Sequence, residues 1–324
     1  MRYGIIGTGE IAEAFIAGAR RHCDAQIVAV YSRTESSGGA FAARNGIPQV
    51  FTDLAAFAQA DFDVAYIASP NRLHASQSEQ MLLHGKHVLC EKPITVTPEE
   101  LQTLQALADR QGRVYAEAIM YMFQPVRALL RETVGQLGRI TGAHFDFCQL
   151  SSKYPAYLRG EQPNIFNPRL ATGGLMDLGV YCVYPALDLF GLPQSVTACA
   201  HFLASGADGS GMAGLDYGDK LVTLAYSKIG QGYAGSEIRG EDGTLSIASI
   251  SKLTGLTLHR RGCPPQAVFG EREKADLMGF EAAGFEAFIR DPADPYYRVT
   301  RERALQASTV MAEIRRLAGI EFPA

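Results

Sequence analysis

The first twelve residues constrain the fold of this chain more than any other stretch. An apolar strand signal over residues 3–6 runs directly into Gly7-Thr8-Gly9-Glu10-Ile11-Ala12, where a helical pattern begins. In such a Gly-x-Gly-x-x-Ala turn the first glycine allows a tight bend, and the second lets backbone amides approach a pyrophosphate. The following helix directs its positive dipole end at the same charge. A plain glycine turn is the alternative, but the position of the motif favours dinucleotide binding.

Composition limits the kinds of protein that this chain can be. Its 324 residues are enough for two domains, and 30 lysines and arginines nearly balance 34 aspartates and glutamates. We therefore expect neither a nucleic-acid partner nor a membrane partner. The six cysteines include no Cys-x-x-Cys pair and the seven histidines form no ligand-spaced cluster, so we expect free thiols and no metal site. Because the first strand signal begins at Tyr3, we expect no signal peptide and a cytoplasmic protein.

Short apolar runs alternate with helical segments up to about residue 118. Such alternation predicts right-handed crossovers and a doubly wound parallel sheet, the Rossmann arrangement. The strand signals cover residues 3–6, 27–31, 64–68, 87–90 and 114–117, and the helix signals cover residues 10–21, 36–45, 73–84 and 98–110.

The second half has a different rhythm, with several strand signals that no helix separates. They cover residues 140–150, 195–203, 220–227, 235–239, 244–247 and 257–259, after a short helix at 125–132 and before two helices at 275–289 and 301–317. Short strands without crossovers indicate an antiparallel sheet, and Glu241-Asp242-Gly243-Thr244 has the chemistry of a hairpin turn. We predict an α/β chain with a dinucleotide-binding Rossmann domain at 1–119 and an α+β domain with an open, mostly antiparallel sheet at 120–324.

The end of the second predicted strand bears on the choice of cofactor. In a dinucleotide fold an acidic residue about 20 residues past the glycines binds the ribose 2′-hydroxyl of NAD. This chain has Ser32 and Arg33 there. A hydroxyl and a guanidinium suit the 2′-phosphate of NADP, so we predict NADP and keep NAD as the alternative.

Further candidates follow the next two strand signals. Ser69, Pro70, Asn71 and His74 could contact ribose or nicotinamide, or could serve only as a turn and a helix cap. The stretch Glu91-Lys92-Pro93 places a lysine at the carboxyl end of a strand, where the proline restricts its backbone. Its ammonium could lower the pKa of a nearby hydroxyl or polarise a carbonyl, although a lysine at the surface is the simpler interpretation for a lone residue.

Together these motifs resemble the oxidoreductases of the glucose–fructose oxidoreductase / inositol dehydrogenase (Gfo/Idh/MocA) family. The resemblance rests on the glycine turn at 7–12, on Ser69-Pro70-Asn71 with His74, and on Glu91-Lys92-Pro93. It extends to the second half, where Thr172-Gly173-Gly174-Leu175-Met176-Asp177-Leu178-Gly179-Val180-Tyr181 is similar to the family's glycine-rich entry into its catalytic helix. Many members carry histidine at the position of Tyr181, and the tyrosine is typical of the branch of dihydrodiol and sugar dehydrogenases.

The resemblance implies hydride transfer between C4 of the nicotinamide and a secondary alcohol or ketone of a sugar, polyol or trans-dihydrodiol. Tyr181 would exchange the hydroxyl proton, Lys92 would lower the pKa of that tyrosine and polarise the reacting oxygen, and Asp177 would orient the substrate or Tyr181. The implied cofactor contacts are Gly7, Thr8, Gly9, Glu10, Ile11, Ser32, Arg33, Ser69, Pro70, Asn71, His74, Glu91 and Lys92. A homodimer through the sheet of the second domain is also implied.

Two other functions stay open, because a fold does not fix chemistry. One is a non-catalytic regulator that binds NADP, and the other is an enzyme that uses NAD for glycoside cleavage. The chain lacks the arginine and histidine that family members often carry near Met122 and Gln124, which argues against the usual sugar contact there. Loop residues that could line a substrate pocket instead are Lys153, Tyr154, Tyr157, Arg159 and Asn164.

Overall fold

The computed structural model describes residues 1–323, which divide into two compact units. The first unit contains Met1–Phe123 together with Glu273–Leu305. The second unit contains Gln124–Arg272 together with the residues from Gln306 onward. Each unit is described separately below.

The first unit begins with strands and helices in strict alternation. The strands are β1 (Arg2–Ile6), β2 (Gln26–Tyr31), β3 (Gln49–Phe51), β4 (Val64–Ile67), β5 (His87–Glu91) and β6 (Tyr115–Ala118). The helices are α1 (Glu10–His22), α2 (Glu35–Asn45), α3 (Leu54–Gln59), α4 (His74–Leu83), α5 (Pro98–Gln111) and α6 (Met120–Phe123). The sequence pattern predicts neither β3 nor α3, because three and six residues are too few to show a period.

All six strands lie parallel in the order β3-β2-β1-β4-β5-β6, which confirms the predicted Rossmann sheet. The order reverses between β1 and β4, so the carboxyl ends of these neighbouring strands flank a crevice. Ligands of open α/β sheets bind at such a point. The glycine turn follows β1, Ser69 follows β4, and Lys92 follows the adjacent β5. The topology therefore brings three of the predicted motifs to one edge of the sheet.

The second unit is built on one large sheet. Its strands are β7 (Ile140–Cys148), β8 (Ser195–Phe202), β9 (Asp208–Asp216), β10 (Leu221–Ser227), β11 (Ser236–Gly240), β12 (Thr244–Ser249), β13 (Thr254–His259) and β14 (Gln266–Phe269). Its helices up to residue 272 are α7 (Val126–Val134), α8 (Tyr154–Leu158) and α9 (Val180–Phe190), and a π-helical turn at Leu175–Gly179 leads into α9.

The eight strands follow the order β14-β13-β12-β11-β7-β10-β9-β8, and only the β7–β10 pair is parallel. One face of the sheet is buried and the other is exposed, as the alternation along β10 shows. Val222, Leu224 and Tyr226 are buried, whereas Leu221 and Thr223 are exposed. The predicted open, mostly antiparallel sheet is confirmed. The hairpin turn is present as well, since Gly240 donates its N–H to the Gly243 carbonyl between β11 and β12.

Two strands of this sheet have no counterpart in the sequence prediction. Strand β9 has the sequence Asp-Gly-Ser-Gly-Met-Ala-Gly-Leu-Asp, and its three glycines remove the side chains that would show alternation. It forms a strand because it pairs along its length with both β8 and β10. Strand β14 is a four-residue edge strand that pairs only with β13.

After the second sheet the chain returns to the first unit. Helix α10 (Lys274–Arg290) packs along α1, and helix α11 (Pro295–Ala318) begins in the first unit as well. The α1–α10 contact is close, because a Cβ atom at Gly18 would lie 2.5 Å from the Ala275 carbonyl oxygen. A single boundary between residues 119 and 120 does not describe this return, which depends on side-chain packing between distant segments. The functional division at that boundary stays a prediction.

One segment, Pro168–Phe190, is long and apolar enough to cross a membrane by length and composition alone. It contains the π turn and α9, and 89% of its most apolar window is buried inside the protein. Such burial is typical of a core helix.

Candidate active site

The glycine turn after β1 has the backbone that a pyrophosphate site needs. Gly7 has φ +111°, and a Cβ atom there would lie 2.5 Å from the Ala68 carbonyl oxygen, so only glycine fits between β1 and β4. At Gly9 the situation is the opposite, because a Cβ atom would meet no protein atom within 4 Å. Gly9 is also the N-cap of α1 and offers no side chain to its first amides. The space beside Gly9 and these amides fit an anionic ligand at the helix N-terminus.

The end of β2 carries hydroxyls and one guanidinium. Ser32 is buried and shares a 2.6 Å hydrogen bond with the hydroxyl of Ser37, while the Thr34 side chain accepts a bond from the Ser37 N–H and caps α2. Arg33 is exposed, and within residues 1–323 no hydrogen bond or ion pair engages its guanidinium. A cation without an internal partner beside a set of hydroxyls fits the 2′-phosphate of a dinucleotide.

The segment after β4 is tied to the segment after β5 by a buried histidine. The two ring nitrogens of His74 lie 2.8 Å from the carbonyl oxygens of Pro93 and Ser69. Burial lowers the pKa of His74. Ser69 is held further by donating its hydroxyl to the Gln77 amide oxygen at 2.6 Å. His74 therefore joins the two loops from behind, and a direct contact between its ring and a cofactor stays a prediction.

Lys92 stands in a short loop whose neighbours are fixed. Its peptide bond to Pro93 is cis. Before it, Glu91 accepts hydrogen bonds from the Tyr66 hydroxyl at 2.6 Å and from the Lys92 N–H at 3.2 Å. After it, Glu117 accepts a bond from the Ile94 N–H at 3.0 Å. Burial raises the pKa of Glu91, against the Tyr66 bond and the charge of Lys92, which lower it. The backbone on both sides of Lys92 is thus anchored to the buried carboxylates of Glu91 in β5 and Glu117 in β6.

In the second unit Tyr181 occupies the first turn of α9. Its side chain is almost buried, and its ring meets that of Phe147 edge to face at 5.5 Å between centroids. Asp177 lies four residues earlier, in the π turn, and stays partly exposed. Residues four apart on a helix share a face, so the turn presents both groups on one side. Wide turns of this kind within α-helices are frequent at functional sites.

A buried acid fixes the entry to this helix. Asp208, at the start of β9, accepts a 2.7 Å hydrogen bond from the N–H of Leu175, the first residue of the π turn. A Cβ atom at Gly173 would lie 1.8 Å from a carboxyl oxygen of Asp208, which explains the glycine. Burial raises the pKa of Asp208 to about 7, although the amides of Leu175 and Gly174 and the charge of Lys228 lower it.

A buried lysine pairs with the predicted catalytic aspartate. Lys228 follows β10, its side chain is only 4% exposed, and its ammonium forms a short ion pair with Asp177. At the other end of α9 the fully buried carboxylate of Asp188 binds Arg127 and Arg131 from α7, at 2.5 and 3.0 Å. The helix of Tyr181 is therefore held by ionic contacts near both ends.

Sequence reasoning did not find Lys228 or Asp208. Lys228 could have been found from the sequence, because Val222, Leu224 and Tyr226 are buried apolar residues of β10 and Lys228 continues their period of two. A lysine in phase with buried residues needs a buried partner. Asp208 left no such signal, since it opens the glycine-rich strand that the pattern does not reveal.

The loop residues predicted as pocket lining are spread along one segment. Tyr154 and Tyr157 stack in α8, and the Tyr157 hydroxyl accepts a 3.1 Å hydrogen bond from the Ser205 N–H. Arg159 pairs with Glu161, which leaves it at the surface, and Lys153 and Asn164 are exposed. A substrate contact from these residues stays a prediction.

The parallel sheet and its glycine turn define a dinucleotide-binding unit of the Rossmann class, and the reactive roles of Lys92, Tyr181 and Asp177 stay predictions. The family model described as "Oxidoreductase family, NAD-binding Rossmann fold" matches residues 1–119, and that of the "GFO/IDH/MocA C-terminal domain" matches residues 123–246. The chain belongs to the Gfo/Idh/MocA family of NAD(P)-dependent oxidoreductases. The family resemblance inferred from the motifs is confirmed.

Individual relatives align with the whole chain. The scyllo-inositol 2-dehydrogenase (NADP(+)) IolU of Bacillus subtilis is 38% identical, over 100% of this chain and 99% of its own length. The trans-1,2-dihydrobenzene-1,2-diol dehydrogenase of Mus musculus is 28% identical, over 100% of this chain and 98% of its own length. Among solved structures, the 3-ketoreductase KijD10 of Actinomadura kijaniata in complex with NADP and TDP-benzene superimposes with a TM-score of 0.87. It is 21% identical over 98% of both chains, which supports the fold.

Proposed function

We propose that this protein is an NADP-dependent oxidoreductase that transfers hydride to or from a secondary alcohol or ketone of a sugar, polyol or trans-dihydrodiol. The observation that carries the proposal is the anchored Lys92 loop after β5, beside the switch point between β1 and β4 of the Rossmann sheet. A protein that only bound the dinucleotide would need the glycine turn, but it would not need a lysine held on both sides by buried carboxylates. Such placement is what general acid–base chemistry requires.

The choice of NADP rests on the end of β2. Arg33 is exposed there and Ser32 and Ser37 supply hydroxyls, whereas an acidic side chain that would repel a 2′-phosphate is absent at residues 32–34. Relatives named for NADP(+) support the same choice. When bound, the nicotinamide supplies the C4 position that exchanges hydride with the substrate carbon.

The protein's own part in the reaction is to move one proton and to place charge. During oxidation the Tyr181 oxygen takes the proton of the substrate hydroxyl as the carbon–hydrogen bond breaks, and during reduction it returns that proton to the new alkoxide. The Lys92 ammonium favours the ionised form of the tyrosine and polarises the reacting oxygen. Asp177 accepts a hydrogen bond from a second substrate hydroxyl and so orients the ring.

The substrate class follows from the chemistry of these groups and from the relatives. A carboxylate beside a tyrosine suits a substrate with neighbouring hydroxyls. The relatives are named for scyllo-inositol, trans-dihydrobenzenediol and xylose, and each of these compounds carries adjacent hydroxyls. We therefore place this protein's substrate among vicinal diols on a ring.

The test is a panel of inositols, aldoses and trans-dihydrodiols incubated with NADP and followed by absorbance of the reduced nicotinamide. Lys92→Ala and Tyr181→Phe should each lower kcat roughly a hundredfold or more, because each removes a group that acts on the reacting oxygen. Lys86→Ala is the matched control, since Lys86 donates to the carbonyls of Ala60 and Phe62 and lies over the Phe62 ring, so its loss should affect stability rather than turnover.

Three results would reject the proposal. Normal turnover by both Lys92→Ala and Tyr181→Phe would contradict the proposed roles of these two residues in proton transfer. Tight NADP binding without turnover of any panel member would favour a regulator, and release of a sugar from a glycoside with NAD would favour glycoside cleavage.

We also propose that two copies associate through the exposed face of the second-unit sheet and act in the cytoplasm. That face carries Cys199, Met212 and Leu221, and Met212 and Leu221 are 54% and 63% exposed. Large apolar side chains on an open sheet are a common feature of subunit interfaces. A monomer in sedimentation equilibrium, or a dimer that persists in Met212→Glu, would contradict this assembly.

A further inference from the structure

We propose that Lys228 is a positioning residue for the reaction, because its buried ammonium holds the Asp177 carboxylate in one orientation on the substrate side of the π turn. This inference rests on the proposed function, in which Asp177 orients the substrate. Lys228 itself would touch neither substrate nor cofactor, since its side chain is only 4% exposed.

The backbone of Lys228 is fixed on both sides. Its N–H donates to the Gly209 carbonyl at 2.8 Å, and its own carbonyl accepts from the Ser151 N–H at 2.9 Å. These contacts continue the pairing of β10 with β9 on one side and reach the loop after β7 on the other. The backbone that carries the ammonium is therefore rigid. The alternation of side chains along β10 places the Lys228 side chain on the buried face of the sheet.

The ion pair joins a buried cation to a partly exposed anion. The Lys228 side chain is 4% exposed and the Asp177 side chain is 29% exposed. The carboxylate therefore has a buried lysine as its partner, while part of the Asp177 side chain stays accessible to solvent. A lysine buried without an anionic partner would be strongly disfavoured. The pair thus fixes the position of a carboxylate whose side chain stays partly accessible to solvent.

Asp208 supports the same arrangement from the other side of the lysine. It lies within electrostatic reach of Lys228 and binds the first amide of the π turn directly. Lys228 therefore interacts with two acids near the start of α9. Asp208 holds the backbone of the π turn, and Asp177 is the acid that would contact the substrate. The ammonium contacts the partly exposed Asp177 directly and acts on the buried Asp208 through its charge, and this direct contact with an accessible carboxylate is what indicates a role in positioning.

The decisive variants are Lys228→Met, which keeps the length of the side chain without charge, and Lys228→Arg, which keeps the charge. We expect Lys228→Met to lower kcat roughly tenfold to hundredfold, because a misplaced orienting group costs about that much. The Kd for NADPH should stay within about twofold, and Lys228→Arg should restore most of kcat. Lys220→Met is the matched control, since Lys220 pairs with the exposed Asp219 just before the same strand.

A double-mutant cycle covers the case in which Lys228→Met does not fold. In Asp177→Asn with Lys228→Met both charges are gone, so no uncompensated anion remains. If Lys228 acts through Asp177, this double variant should match Asp177→Asn in kcat. A kcat of the double variant roughly tenfold or more below that of Asp177→Asn would overturn the proposal.

A spectroscopic measurement separates this proposal from the proposed function. The carboxyl carbon of Asp177, assigned in 13C-aspartate spectra by its loss in Asp177→Asn, should shift in Lys228→Met and not in Lys220→Met. If the wild type oxidises no panel member but this shift is present, the proposed function fails and the Lys228–Asp177 contact stands. If turnover is normal and neither the signal nor kcat responds to Lys228→Met, the proposed function stands and this inference fails.

Discussion

The glycine turn of the first unit and the Tyr181 helix of the second unit are held in place by different kinds of contact. The turn depends on backbone shape, with a positive φ at Gly7 and open space at Gly9, all within one short stretch of sequence. The helix and the π turn before it depend on two buried ionisable side chains, Asp208 and Lys228, which lie 33 and 51 residues further along the chain than Leu175 and Asp177, the residues they contact. The glycine turn is thus defined by local sequence, whereas the Tyr181 helix needs support from distant segments of the second unit.

The largest expected effect concerns the two glycines of the turn, which the structure assigns opposite roles. Gly7→Ala should destabilise the protein by roughly 3 kcal/mol or more, because it adds a strained φ and a clash with the Ala68 carbonyl. Gly9→Ala should leave the midpoint of thermal unfolding unchanged and raise the Kd for NADP roughly tenfold or more, about 1.4 kcal/mol per decade. Both quantities can be measured on purified protein.

Gly39→Ala provides the control for the pair of glycine variants. Gly39 lies in α2, and a Cβ atom there meets nothing within 4 Å, so this change should stabilise slightly and leave NADP binding intact. Wild-type NADP affinity in Gly9→Ala would show that the free space beside Gly9 is not the pyrophosphate site.

A second prediction tests the buried charges through pH. The pKa of Asp208 is raised from 3.8 to about 7, so the folded state keeps a proton that the unfolded state has lost. The stability from this group is full below about pH 4 and is lost as pH rises towards 7, by at most about 1.4 kcal/mol per pH unit. Urea unfolding of Asp208→Asn against wild type should show a flatter pH dependence in that window.

The pKa of Asp276 in the first unit is shifted in the opposite direction, so its contribution to stability should have the opposite pH dependence. Its hydrogen bond to Arg21 lowers its pKa, so its contribution is present at neutral pH and is lost as pH falls through the folded-state pKa. Asp276→Asn should therefore remove stability at neutral pH and little in acid. Equal pH profiles for the two variants would contradict the assignment of Asp208 as a buried, protonatable acid.

A third prediction concerns Arg33 and the choice between NADP and NAD. Arg33→Ala should lower the preference for NADPH over NADH roughly tenfold to a hundredfold, because a charged hydrogen bond to phosphate contributes about 1.5–3 kcal/mol. Titration with both cofactors measures the ratio, and the Kd for NADH should not change. Arg20→Ala is the control, since Arg20 is an exposed arginine that donates to the Asn45 carbonyl. An unchanged ratio would show that recognition of the 2′-phosphate does not depend on Arg33 at the end of β2.

The same comparison explains how much the sequence could predict. The Rossmann sheet and its motifs follow from local patterns, so the turn at 7–12 and the Lys92 loop were located from residue types alone. The glycines around Gly173 were recognised by family resemblance, but their reason is the carboxylate of Asp208. The Lys228–Asp177 pair joins positions 51 apart, and no local pattern specifies which buried acid a lysine will meet. The anchoring of His74 between two loops is non-local in the same way.

The return of α10 to α1 has a consequence for synthesis on the ribosome. The amino-terminal segment emerges first, yet the surface of α1 around Gly18 is covered only when Gly279 has left the exit tunnel. Until then a nascent chain with its parallel strands in place still lacks α10, including the buried Glu286 carboxylate that accepts a hydrogen bond from the Tyr3 hydroxyl at 3.1 Å. Completion of the nucleotide-binding unit is therefore coupled to translation of almost the whole chain, so a truncated product would carry an unfinished nucleotide-binding unit.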